Sequence, residues 1–254
     1  MVVLSCRRPC RAHPGRFAPR GGGKPSWGAL VSRLPIKADR FIPVSQQRRQ
    51  IRRAAESYQI RYLARELRSL KRRCGAMHFH ITSGDTEQVT EKLDKGLLDF
   101  AVLCDAPDPR KYDSILFPET DIWGLILPED DELAKKETIR VDDLVSLPLF
   151  TSEQGWEGDI KSWAGDRFSA LRLEGSSRLA YNASLFVREG LGYQLTFRHL
   201  VDTSAESGLV FRPLSPTLEV RLYLIWNRYQ AFTPIAGRFL SQVRASFAAQ
   251  RGEG

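Results

Sequence analysis

From residue 57 onward, apolar side chains recur in two rhythms that alternate along the chain. Between residues 57 and 73, Ile60, Leu63, Ala64, Leu67 and Leu70 return every three or four positions, which places them on one face of a helix. The opposite face carries Arg61, Arg65, Arg68, Lys71, Arg72 and Arg73. A basic face of this kind is ordinarily solvated surface, although it can also meet phosphates. A short strand follows at 78–82, where His78 and His80 share a side by period two. Asp85, with Gln88 three residues on, is placed to cap a helix that turns Val89 and Leu93 inward and ends at Gly96. Residues 97–103, LLDFAVL, are almost continuously apolar, as expected of a strand covered on both faces.

The same alternation continues. Strands are predicted at 114–117, 122–127, 149–151, 171–174, 192–196, 209–211 and 220–226. Helices are predicted at 142–145, 160–163, 182–189 and 233–247, the last with Ile235, Phe239, Val243 and Phe247 on one face. Strands that alternate with helices argue for an α/β fold with parallel-rich sheets covered by helices. In such sheets ligands gather at the carboxyl ends of strands, where helix N-termini present free N–H groups to anions.

The first 48 residues break the pattern. CRRPCRAHPGRFAPRGGGKPSWG is rich in Arg, Pro and Gly and has no period, so residues 1–53 are expected to be disordered or non-native. A frame change near codon 54 would produce such a stretch; a divergent tail is the alternative. The charge divides at the same place. The whole chain of 254 residues carries a net charge of +8, but residues 1–48 hold ten Lys/Arg against one acid, Asp39. The remainder holds 28 bases and 29 acids and is close to neutral. Any argument from basicity to nucleic acid therefore rests on the first segment alone.

With 42% hydrophobic and 10% aromatic residues, the chain can build a core. No apolar run approaches the roughly 18 residues of a membrane span, and MVVLSCRRPC is no secretory signal. Four scattered cysteines suggest a reducing, cytoplasmic setting. Catalytic motifs are missing: there is no GxSxG, Walker loop, HExxH, CxxC or GxGxxG. Cys6, Cys10 and His13 lack a fourth zinc partner at finger spacing, and His78 with His80 lacks a third ligand. The acids Glu129, Asp130, Asp131 and Glu132 read as a solvated run at a helix start. Neither an enzyme nor a cofactor or metal is expected.

Four stretches, in order, resemble the effector-binding domain of LysR-type transcriptional regulators. They are FHITSGDTEQVTEKLDKGLLDFAVL (79–103), GLILPEDDELAKKETIRVDDLVSLPLF (124–150), NASLFVREGLGYQLT (182–196) and LEVRLYLIWNRYQAFTPIAGRFL (218–240). The resemblance implies a two-lobed, periplasmic-binding-protein-like (type II) fold with two crossover strands. Lobe I would span about 54–121 plus 222–247, and lobe II about 122–221, leaving 248–254 as a tail. It also implies a small polar or anionic metabolite bound between the lobes, and a homo-oligomer. The resemblance stops near residue 54. No helix-turn-helix pattern precedes it, so sequence-specific DNA binding by this chain alone is not expected. Arg52 and Arg53 stand where the family's first, central strand should be apolar. A stand-alone solute-binding protein of a transport system is the alternative function.

Cleft logic selects the candidate ligand residues. Ser57 opens the first helix, and Thr82 and Ser83 lie on the turn before the second. Thr151 and Ser152 follow a lobe II strand, and Tyr181 and Asn182 open the helix that runs to Gly190. Hydroxyls and amides at helix starts suit a carboxylate, and they equally suit plain N-capping. Trp123 is expected in the core rather than on a pocket wall.

Overall fold

The computed structural model describes the backbone of residues 3–7, and residues 56–75, 77–82, 84 and 86–252. In chain order the strands and α-helices are β1 (Val3–Arg7), α1 (Ile60–Cys74), β2 (His78–His80), α2 (Thr86–Asp94), β3 (Phe100–Leu103), β4 (Tyr112–Leu116), β5 (Asp121–Pro128), β6 (Ile139–Arg140), β7 (Pro148–Thr151), α3 (Glu153–Gly155), α4 (Lys161–Ala164), β8 (Arg172–Ser176), α5 (Ala180–Arg188), β9 (Tyr193–Phe197), β10 (Leu209–Ser215), β11 (Glu219–Val220), β12 (Tyr223–Asn227) and α6 (Pro234–Arg251). They build two sheets, one per lobe: β2–β1–β3–β12–β4, and β6–β10–β5–β9–β7–β8 with β11 also paired to β5.

In the first lobe, alternate residues of β3 serve opposite faces. Phe100 and Val102 join a core with Leu63, Leu67 and Leu70 of α1 and Phe239, Val243 and Phe247 of α6. Ala101 and Leu103 pack with Val89 and Leu93 of α2. This two-sided cover explains the apolar run. Its first residue, Leu97, is exposed, because the strand begins only at Phe100. Thr233 caps α6 by accepting the Ala236 N–H, and Pro234 fits the first turn. The helix runs past the expected boundary at 247 and stops at the left-handed Gly252. Its last turn is tied down where Arg251 donates to the Leu116 carbonyl at 2.7 Å.

Strand direction corrects the parallel-rich expectation. β2, β3 and β4 do run the same way, as strand–helix alternation implies. None of them are neighbours, however: β1 separates β2 from β3, and β12 separates β3 from β4, both running antiparallel. The second sheet is mixed, with β7 parallel to β8 and β9, β6 parallel to β10, and β5 antiparallel to β9, β10 and β11.

Of the first segment, residues 1–53, the structure describes only Val3–Arg7, whose backbone runs as a strand between β2 and β3. VVLSC is short, but it has the β-branched and apolar residues that a strand accepts. Arg52 and Arg53 lie outside the described residues. The second lobe's core collects Leu125, Leu127, Leu149, Ile160, Leu195 and Leu214 on one side of its sheet. Ile126 and Leu209 lie on the other, under Ala180 and Val187 of α5.

Candidate functional site

Two strands side by side join the lobes. The chain leaves the first lobe after Phe117, whose N–H donates to the Leu222 carbonyl at 2.9 Å. β5 then opens with Asp121, and β11 pairs with it on the return, Val220 opposite Asp121. Asp121 is only 2% exposed, and its Oδ2 has no hydrogen-bond partner. Burial pushes this carboxyl up to about 6, against the Ser57 and Gln59 side chains, which pull it down.

The turn before α1 lies on this hinge. Buried Gln59 donates through Nε2 to the Thr120 carbonyl at 3.0 Å, and the Ser57 hydroxyl accepts the Gln59 N–H at 3.0 Å. The Tyr58 ring stands 4.6 Å from the imidazole of His199, in the second lobe. The Arg61 guanidinium sits 4.4 Å over the same tyrosine ring and pairs with Glu119 at 2.5 Å. Hydrogen bonds from Tyr62 and Arg61 hold the Glu119 carboxyl below its usual range. Burial, with Arg198 and Arg61 nearby, lowers His199 and favours a neutral imidazole.

Across the cleft, α5 starts without a cap of its own. Leu179 occupies the N-cap position with no side-chain bond, and the first turn holds no acid. The acceptor comes from the first lobe instead: the Ala180 N–H donates to Glu56 Oε2 at 2.9 Å. Thr151 ends β7 nearby, and its carbonyl accepts the Ser177 N–H at 3.0 Å, three residues before α5. The Thr151 hydroxyl is buried, at 2% exposure for the residue, and has no partner.

The candidate residues therefore sort as follows. Thr151, Ser152, Tyr181 and Asn182 share one edge of the second lobe, and Ser57 stands at the hinge. Ser152 caps α3 by accepting the Gly155 N–H at 3.1 Å, so its hydroxyl and that of Ser57 are engaged within their own turns. Tyr181, 64% exposed, and Asn182 are open on the first turn of α5. Thr82 is half-buried just past β2; Ser83 and Asp85 lie outside the described residues. Because β2 and β3 run the same way, Thr82 lies at the same edge as Cys104. Cys104 is buried in the second lobe's core, so that edge faces the second lobe. Trp123 packs in the core as expected, its ring 4.6 Å from Phe197 and its N–H on Asp159.

Glu56, Asp121 and His199 escaped the sequence reading. A lone acid opening an apolar run, as in TDIWGLIL, was the available signal for Asp121. The partners of Glu56 and His199 are too remote in sequence to be paired from it. Among the described residues, no three or more His, Cys, Asp and Glu are grouped to hold a metal ion. His78 and His80 are exposed, and the side chains of Cys6, Cys10 and His13 lie outside the described part. No described helix is long and apolar enough to cross a membrane.

Two α/β lobes joined by paired strands, with strand ends and a helix start facing across the gap, define a periplasmic-binding-protein-like ligand-binding fold. The sequence matches the model of the LysR substrate binding domain over residues 45–248, and the chain belongs to that family, which is regulatory rather than catalytic. Solved structures share the fold. HinK, a LysR family transcriptional regulator from Pseudomonas aeruginosa, has a TM-score of 0.61 and 17% identity over 73% of this chain and 66% of HinK. The regulatory domain of CcmR from Synechocystis PCC6803, in complex with 2-PG, gives 0.61 and 16% over 74% of this chain and 93% of that one. The effector binding domain of QuiR, in complex with shikimate, gives 0.54 and 16% over 65% and 79%. The chain thus spans just under two thirds of the HinK regulator.

Proposed function

We propose that this chain senses a small polar or anionic metabolite, held between its lobes, as the effector-binding part of a LysR-type regulator acting in the cytoplasm, and that it does so without catalysis. One observation carries the reading: a carboxylate from one lobe already sits on the free N–H that opens a helix in the other. The cleft therefore has the chemistry to take an acid across both lobes, as helix N-termini do. The complexes of CcmR with 2-PG and QuiR with shikimate support small-molecule binding on this fold. Within the site, we assign direct contact to the Thr151 hydroxyl and the Asn182 amide, with Thr82 and Tyr181 around the opening. Ser57 and Ser152 shape their turns. Self-association belongs to the same proposal. Phe79 and Ile81 lie exposed beside Ile60, Leu63, Ala64 and Leu67 in an apolar groove of about 530 Å³, a surface suited to a second copy of the chain. Sedimentation as a monomer at all concentrations would remove that part.

A thermal-shift panel of small organic acids tests the main reading. A binder should add about 2.7 kcal/mol of stability at a hundredfold excess over its Kd. Asn182→Ala is expected to weaken that binder about tenfold. If no acid shifts the melting temperature, or if Asn182→Ala and Thr151→Val leave a confirmed binder untouched, the assignment fails.

A further inference from the structure

The turn at 56–59 is fastened to more than its own lobe. Glu56 accepts from Ala180 of α5, Tyr58 packs on His199, and Gln59 bonds the hinge carbonyl of Thr120. Ser57 and Gln59 also face the buried carboxyl of Asp121. Any separation of the lobes must break the contacts to Ala180 and His199. The same turn runs directly into α1, so whatever frees it also frees the start of that helix.

The contact at Ala180 is unusual in its origin. A helix normally finds its cap within a few residues, from Ser, Thr, Asp or Asn. Here Leu179 stands at the cap with a side chain that cannot accept, and no acid lies in the first turn. A residue 124 positions away supplies the acceptor. An independent feature lies beside it: the Thr151 hydroxyl is buried and unpartnered, and the Thr151 backbone holds Ser177, on the approach to α5. One polar group at this edge is thus bonded from within the chain, and the hydroxyl near it has no hydrogen-bond partner.

We propose that Glu56 is a built-in competitor for the effector: its carboxylate holds the start of α5 in the empty chain, and an incoming carboxylate replaces it and unfastens the 56–59 strap. The proposal rests on the cleft reading above, and it adds the class of ligand group, a carboxylate, and a route by which binding reaches α1. Before binding, the strap keeps the lobes together. After binding, the ligand bridges them, and Glu56 with the first turn of α1 is released.

Hydrogen exchange on the full chain tests this, with acetate as the probe. Without acetate, Glu56→Ala is expected to speed exchange of the amides at 180–183 at least tenfold, while the α6 amides around Phe239 and Val243 stay as protected as in the wild type. Added acetate should restore that protection in Glu56→Ala at a concentration at least tenfold lower than any effect on the wild type. Glu56→Gln keeps an acceptor oxygen but no charge, and should fall between the two. It also serves as the test variant if the alanine form does not fold. Unchanged exchange at 180–183 in both variants overturns the strap. Acetate that protects wild type and variants equally, or none of them, overturns the competition. An organic acid that binds the wild type and Glu56→Ala with equal affinity leaves the cleft reading standing and removes this one.

Discussion

Asp121 and Thr151 are buried polar residues, each with a side-chain oxygen that has no hydrogen-bond partner. Each predicts a measurable effect. A carboxyl raised from 3.8 to about 6 keeps its proton longer in the folded chain than in the unfolded one. Its burial therefore costs nothing below about pH 4 and its full amount above about pH 6, so stability falls as pH rises through that window. A lift of this size corresponds to about 3 kcal/mol. Asp121→Asn should unfold in urea with a flatter pH dependence between pH 4 and 7, and should be more stable than wild type at pH 7. Parallel pH curves for the two proteins would show that Asp121 is not the buried acid described. Thr151→Val replaces an unpartnered hydroxyl with a methyl, and should stabilise the empty protein by about 1 kcal/mol. The same change should weaken effector binding about tenfold. A loss of stability instead would mean that the hydroxyl already has a partner.

At the scale of elements, much of the architecture is legible because burial leaves a period. Residues 100–103 are apolar at every position because helices cover both faces of β3, and α6 shows its inward face from Ile235 to Phe247. The misses have physical causes. Residues 220–226 read as one strand, but the chain crosses from one sheet to the other there and divides into β11 and β12. An apolar run does not reveal which sheet it serves. Of the candidate site, half was legible. Ser152 and Thr151 follow from a strand that ends at a helix start, whereas Glu56 and His199 act through partners that only the folded chain brings near. β1 was invisible because five residues inside an aperiodic basic stretch carry too little pattern. Its role is open to test. Leu4 pairs with Phe100 between two strands, where proline cannot complete the ladder. Leu4→Pro should lower the melting temperature and speed exchange of the β3 amides at 100–103. Melting identical to wild type would remove Val3–Arg7 from the sheet.

At the scale of the molecule, the proposed binding and the proposed signalling depend on the same gap. The carboxyl-end edge of the first lobe, the paired hinge strands and the start of α5 meet around it, and the 56–59 strap spans it. A ligand held there touches both lobes at once. Such binding differs from surface adsorption in where it protects the backbone, so hydrogen exchange with and without a panel-selected organic acid is the direct measurement. Added protection is expected on both sides together: at 82–89 in the first lobe, and at 151–155 and 180–184 in the second. Protection confined to a single lobe, or lying away from these segments, would contradict a sensor that closes on its effector.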